Sequence, residues 1–313
     1  MLIVFGSLNM DIFMNVERLP VGGETVLSSD SHFSFGGKGA NQAFAAGRFG
    51  GKVAMVGTVG EDDFGRSLTD NLRKNGVITS GVAKSEKPSG TAVITVDANA
   101  ENQIIVGSGA NLDTSADQVP DEILVEGNYL LLQMEVPVSE TVALLERAKD
   151  AGVVTVLNLA PAIMIPEKVI ACLDYLVVNS IEAAQIAETI GLPSSLPPLK
   201  LAQALSQFGS LTCIVTGGVD GSIAVTQSGD AWQVATVPVS GDDLIDTTGA
   251  GDCYCGTLTA CLHDGKTLPD AMRYASVAAS LSVKHEGAQE SYPYISDVET
   301  LMQEVPEAQK ISI

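Results

Sequence analysis

The chain reads as an α/β protein: a doubly wound, mainly parallel sheet with helices on both faces, plus a small β-sheet lid. Three observations predict this. Short apolar runs recur from end to end with helical patterns between them, as buried parallel strands and crossover helices do. Two stretches instead alternate apolar and polar side chains, as strands with one wet face do. Two Gly-rich loops each lead into a helical pattern, an arrangement that presents backbone N–H groups to whatever sits in front of the helix. With 313 residues, one large domain with a small appendage is expected.

Taken in order, Leu2–Phe5 is wholly apolar and stops at Gly6, a first buried strand. Residues 12–35 alternate, in Ile12-Phe13-Met14-Asn15-Val16 and again in Glu24-Thr25-Val26-Leu27. The loop Phe35-Gly36-Gly37-Lys38-Gly39-Ala40-Asn41 then leads into a helix from Gln42 to Phe49 with Ala43, Ala46 and Phe49 on one face. Val53–Val56 is a strand and Leu68–Leu72 part of a helix. Thr91–Val96 and Gln103–Val106 alternate like a hairpin, with Asp97–Asn102 as its turn. Strands follow at Tyr129–Leu132, Val153–Leu157, Tyr175–Val178 and Cys213–Thr216, with helices at Val142–Ala148 and Leu201–Phe208. Pro193–Pro198 is a loop between helices. The run Asp246–Asp252 opens a helix marked by Tyr254, Leu258, Cys261 and Leu262, and Ala271–Val283 is the last long helix. Residues 1–11, 36–89 and 107–313 are thus assigned to an α/β body. Residues 12–35 and 90–106 are assigned to antiparallel-type strands that form a lid over it.

Composition narrows the function. A formal charge of −21 makes nucleic acid and anionic membranes poor general partners. No stretch approaches the ~20 apolar residues of a membrane helix. Met1–Phe5 lacks a basic start and breaks at Gly6, so no signal peptide is expected. Five cysteines without C-x-x-C spacing and three histidines argue against a disulfide framework or a zinc site. A cytoplasmic location is expected. Cys253 and Cys255, beside Asp252, are read as small helix residues rather than reactive thiols.

The two loops carry the chemistry. In Asp246-Thr247-Thr248-Gly249-Ala250-Gly251-Asp252, a Gly-rich turn opens a helix with an acid on its first turn. An anion cradle beside a base is what phosphoryl transfer to an alcohol needs. The upstream loop lets backbone approach a ligand closely and adds Lys38 and Asn41. It is not a Walker A loop, since Gly39 rather than Ser or Thr follows Lys38. No G-x-G-x-x-G run opens a helix after the first strand, which speaks against a nicotinamide-dependent oxidoreductase. Ligands of open α/β sheets sit beyond the carboxyl ends of the strands. Asn9 and Asp11, Glu135, Asn158, Asn179 and Thr216-Gly217-Gly218 fall at such ends.

These motifs, in this order, resemble the ribokinase-like family of sugar and nucleoside kinases, and the ribokinases within it. The resemblance runs from Gly6-Ser7-Leu8-Asn9-Met10-Asp11 to Gly287-Ala288-Gln289 and Pro293. It implies ATP-dependent phosphorylation of D-ribose at O5. Asp252 would be the general base, and the N–H groups of Gly249, Ala250 and Gly251 the anion hole. Asn9, Asp11, Gly37, Lys38, Asn41 and Glu135 would hold the sugar; Asn9 favours ribose over a deoxy sugar, because an amide placed to bond a hydroxyl discriminates strongly against its loss. Asn179 and Glu182 would serve Mg²⁺ and phosphate, and Thr216, Gly218, Gly221 and Ser276 the nucleotide. The resemblance also implies a K⁺ site from Asp246, Thr248, Val283, Glu286, Ala288 and Ser291, largely through backbone oxygens, and a homodimer through the lid. Leu159 and Ser276 depart from the pattern, where relatives often have Pro and Asn or His. A sister kinase for another sugar or a nucleoside, with Phe13 and Phe33 as an aromatic slot, is the alternative; a sugar-binding regulator would not need Asp252.

Overall fold

The computed structural model describes residues 1–99, 101–193 and 195–313. Strand β1 (Leu2–Phe5) lies inside a ten-stranded sheet and feeds both of its faces. Leu2 and Val4 pack into one hydrophobic core, Ile3 and Phe5 into the other. This is the period-two alternation of a strand covered on both sides. The chain leaves through β2 (Asn9–Asn15) and β3 (Asp30–Gly36), returns by α1 (Lys38–Arg48), β4 (Val53–Gly60), α2 (Asp63–Lys74) and β5 (Ile78–Ser85), and leaves again through β6 (Gly90–Val96) and β7 (Asn102–Gly107). The second half runs β8 (Tyr129–Leu132), α3 (Val138–Asp150), β9 (Val154–Asn158), α4 (Glu167–Ile170), β10 (Tyr175–Asn179), α5 (Ser180–Thr189), α6 (Pro198–Gly209) and β11 (Thr212–Thr216). It closes with β12 (Ser222–Val225), β13 (Ala231–Val234), α7 (Ala250–His263), α8 (Leu268–Ser282), α9 (Ile295–Leu301) and β14 (Gln309–Ile311).

The main sheet has the order β14-β13-β12-β11-β10-β9-β8-β1-β4-β5. Every pairing from β11 to β5 is parallel; β11 to β14 are antiparallel. Winding goes from β1 towards β4 and β5, then reverses at β8, which pairs with the other edge of β1. The switch point therefore lies beyond the carboxyl ends of β1 and β8, where crevices for ligands form.

Helix α7 is buried on every side from Asp252 to Leu262, between α1 and α8. Its small residues make this possible. A Cβ at Gly256 would stand 2.4 Å from the carbonyl oxygen of Gln42 and 2.8 Å from Cβ of Ala45. Only glycine lets α1 come this close, and that approach brings Asn41 and Gln42 against Asp252.

Strands β3, β2, β6 and β7 form the second sheet, in that order. Asn9 pairs with Gly36 on one side and Gly90 on the other, so this sheet is rooted at the switch point. The expectation of antiparallel-type strands holds for β2/β3 and β6/β7, but β2 and β6 run parallel. Both emerge from the body in the same direction, which long connections through it allow. Glu24–Leu27 is not a strand; it belongs to the irregular stretch between β2 and β3. Of the expected turn Asp97–Asn102, Ala100 lies outside the described residues and Asn102 opens β7. Of the expected loop Pro193–Pro198, Ser194 lies outside them, and Pro198 opens α6 at the first helical position, where proline's missing N–H costs nothing. No helix of the described residues is long and apolar enough to cross a membrane.

Candidate active site

Both Gly-rich runs lead into helix N-termini that no side chain caps, but α1 opens at Lys38 rather than Gln42, so Lys38 and Asn41 lie on its first turn. Gly37 precedes α1 at φ 87°, and Gly249 precedes α7 at φ 72°. By contrast, Asp62, Asn179 and Thr267 cap α2, α5 and α8. Gly249 combines a left-handed backbone with tight packing, for its Cβ would stand 2.4 Å from Oη of Tyr292. That hydroxyl donates to the Gly249 carbonyl at 2.9 Å and fixes the turn. The N–H groups of residues 250–252 precede the first intrahelical bond, from Cys253 N to Gly249 O at 2.8 Å. That of Ala250 donates to the Thr247 carbonyl at 3.3 Å, so Gly251 and Asp252 supply the more available donors.

At the switch point, Glu135 Oε2 accepts from Ser7 Oγ at 2.6 Å and from the backbone N–H of Lys38 at 3.1 Å. This ties the end of β8 to β1 and α1. Asn9 Oδ1 accepts from Asn111 Nδ2 at 2.7 Å, and Asn111 Oδ1 from Leu8 N at 2.9 Å. Asn111 fixes the oxygen of Asn9, so its amide N–H groups are the end available to a ligand. Asp252 is buried and accepts from Asn41 Nδ2 at 3.0 Å and Gln42 Nε2 at 2.9 Å. Asp11, Lys38, Asn41, Glu135 and Asp252 thus face one crevice, and their electrostatics show it. Burial, reinforced by Glu135, Asp252 and Glu290, raises the Asp11 carboxyl to about 7, against the pull of Lys38. The Asp252 carboxylate, aided by Glu135 and Glu182, raises the Lys38 ammonium despite burial.

A cleft of about 770 Å³ opens beside the start of α7. Thr216, Gly218, Gly221 and Ser276 line it with Ala250, Gly251 and Tyr254, so four residues expected at the nucleotide and two of the expected anion hole face one cleft. Val237, Val239, Leu244 and Ala279 make it largely apolar. Ser276 Oγ donates to the Ala235 carbonyl at 3.0 Å, a bond within the protein. Asn179 and Glu182 cap α5 reciprocally, each side chain accepting from the other's backbone N–H at 2.8 Å. Burial raises the Glu182 carboxyl.

Part of the set expected to hold a monovalent cation lies where residues 245–248 pack on the 283–291 loop. Asp246 accepts from Thr248 N and Gly287 N, both at 2.9 Å. The Val283 carbonyl accepts from Ile245 N and Asp246 N, and that of Ala288 from Ser291 N and Oγ. Glu286 is exposed. The donor set is all oxygen and suits a hard cation, which would compete with these bonds for the two carbonyls. Cys253 and Cys255 are buried, and burial pushes the Cys253 thiol up to about 12, so neither is a reactive thiolate.

The model of the pfkB family carbohydrate kinases matches residues 1–295. The chain belongs to the pfkB carbohydrate kinase family. Among its relatives, a ribokinase of Schizosaccharomyces pombe is 34% identical over 95% of this chain and 96% of its own. One of Bacillus subtilis is 34% identical, with 96% and 98% covered. The crystal structure of ribokinase from Thermotoga maritima superposes with a TM-score of 0.89 at 32% identity, over 96% of this chain and 99% of that one. Arabidopsis thaliana ribokinase complexed with ribose and ATP superposes with 0.87 at 30% identity, over 96% and 98%.

Reading the sequence of this family member missed the amides behind the site. Gln42, Gln133 and Asn158 form one buried arm to Asp252; Gln289 forms another, donating to Asn41 Oδ1 at 3.0 Å and accepting from Asn71 Nδ2 at 2.7 Å. The sequence marks Asn158 only as a strand end. Gln42 follows Asn41 of the first loop and Gln133 follows the strand Tyr129–Leu132, but nothing in one sequence says that they meet.

Proposed function

We propose that the chain transfers the γ-phosphoryl group of ATP to O5 of D-ribose, giving D-ribose 5-phosphate and ADP. The observation that carries this is a buried carboxylate, Asp252, on the first turn of an uncapped helix. It stands between a crevice of polyol-binding groups and an apolar cleft of about 770 Å³. Kinship with ribokinases along nearly the whole chain supports the acceptor, and the Arabidopsis complex with ribose and ATP supports both ligands.

Asp11 accepts hydroxyl protons of the sugar, and Asn9 and Asn41 fix the others. Lys38 neutralises charge between sugar and incoming phosphate. Asp252 takes the proton of the primary hydroxyl as the oxygen–phosphorus bond forms, and the N–H groups at the start of α7 stabilise the developing charge. Mg²⁺, for which Glu182 offers a carboxylate, and K⁺, for which the 283–291 loop offers oxygens, supply further charge neutralisation when bound. The four-stranded sheet rooted at Asn9 serves as a lid. Its β7 edge exposes Ile104, Ile105 and Val106, an apolar strip that pairing with a second copy covers. Five free cysteines, all but Cys172 buried, suit a reducing cytoplasm.

The test is ADP release from ATP and Mg²⁺ with D-ribose, 2-deoxyribose, fructose and adenosine, each in sodium and in potassium. Turnover greatest on ribose and raised by potassium is expected. Preference for another acceptor contradicts the sugar assignment, and equal rates in the two salts contradict the cation site.

A further inference from the structure

We propose that Gln42 is a positioning residue for Asp252, held in its working orientation by Gln133 and Asn158. The inference rests on the reading of Asp252 as the general base.

The polarity of this amide chain is fixed from its ends. The Val177 carbonyl can only accept, and it takes the N–H of Asn158 Nδ2 at 3.1 Å. Asn158 therefore turns Oδ1 towards Gln42, whose Nε2 donates to it at 3.0 Å. On the far side, Gln133 Nε2 donates to Gln42 Oε1 at 2.7 Å. With its oxygen held and one N–H engaged, Gln42 has its second N–H directed at Asp252 Oδ1, at 2.9 Å. Asn41 donates to the other oxygen, Oδ2. The carboxylate is gripped at both oxygens, so its plane cannot rotate, and each oxygen keeps a lone pair for a substrate proton. Proton transfer depends on such alignment.

The cost of the arrangement argues that it is not there for stability. Gln42 and Gln133 are both fully buried. Among the described residues, Gln133 Oε1 has no hydrogen-bond partner. It lies where a Cβ on Gly6 would stand 2.0 Å away, so glycine leaves it room. A buried acceptor without a partner is destabilising, and an apolar side chain at 133 would remove it only by leaving Gln42 Oε1 unpaired in its place. What the glutamine provides in exchange is the grip on Gln42.

The test compares Gln42→Met, Gln133→Met and the double variant with the wild type, by kcat, KM for ribose and Tm. Methionine keeps the length and removes the hydrogen bonds. For Gln42→Met we expect kcat to fall about 10–100-fold with KM changed less than about threefold. For Gln133→Met, which acts one step further back, we expect a fall of about 3–10-fold with Tm little changed, because one unpaired buried acceptor, Gln133 Oε1, is exchanged for another, Gln42 Oε1. The double variant is expected to be no slower than Gln42→Met, because Gln133 acts through Gln42. A kcat for Gln42→Met within twofold of wild type overturns the proposal, as does a double variant whose loss is the product of the two single losses. If Gln42→Met does not fold, Gln133→Met decides alone: reduced kcat at wild-type Tm supports the proposal, and unchanged kcat overturns it. A wild type inactive on every acceptor removes the kinase reading, and the proposal with it. An active wild type matched by its variants removes the proposal only.

Discussion

Asp11 shows how a binding group trades stability for function. Burial among Glu135, Asp252 and Glu290 raises it to about 7, well above an unfolded aspartate. Between about pH 4 and pH 7 the folded chain therefore keeps a proton that the unfolded chain has lost. Stability from this group is fully present at low pH and is lost as pH rises through 7. Asp11→Asn should abolish this slope and raise stability at pH 8, by on the order of 2 kcal/mol. Sugar hydroxyls donate to the ionised form, so the wild-type KM for ribose should fall as pH rises to 7 and then level off. Melts of the ligand-free protein from pH 5 to 8 check the first part, and an unchanged slope in Asp11→Asn would contradict it. The sequence offers Asp11 as a candidate site residue from its place after the first strand. Its electrostatic state is not legible there, because Glu135, Asp252 and Glu290 reach it only through the fold.

The decisive contact between elements is that of α1 with α7. Gly256 permits it, and Asn41 and Gln42 meet Asp252 because of it. Gly256→Val should overpack this interface and cost about 1–3 kcal/mol. It should also lower turnover more than it weakens sugar binding, since α1 is pushed away from the base. Urea unfolding and steady-state kinetics together check this, and wild-type turnover would show that the close approach is dispensable. The apolar runs made the parallel strands β1, β4, β8, β9, β10 and β11 legible, but not β5 (Ile78–Ser85) at the sheet edge or helix α5 (Ser180–Thr189). β12, β13 and β14 were not, because antiparallel strands of three or four residues, such as Ala231–Val234, carry little pattern. Glu24–Leu27 misled, since alternation alone does not supply a partner strand. Asn179 and Glu182, expected from the sequence at magnesium and phosphate, form a capping box that opens α5.

At the scale of the molecule, the reversal of winding beside β1 gathers residues from both ends of the chain into one crevice. The second sheet grows from the same point. Ile105 is 68% exposed on its β7 edge, between Ile104 and Val106. Ile105→Lys should shift a dimer towards monomer in size-exclusion chromatography with scattering detection, while the isolated fold persists. A wild-type monomer, or a dimer untouched by the charge, would contradict pairing through the lid. Distant motifs announced this architecture because both lie on Gly-rich loops before helices, whereas the buried amides joining them left no local mark.

The central claim is that Asp252 deprotonates the sugar hydroxyl within a preformed crevice. Its most direct test is turnover on D-ribose by Asp252→Asn beside the wild type, with ribose binding followed by calorimetry. The account predicts a loss of about 10²–10⁴-fold in kcat, with the fold and sugar affinity kept. Wild-type turnover in Asp252→Asn would contradict it.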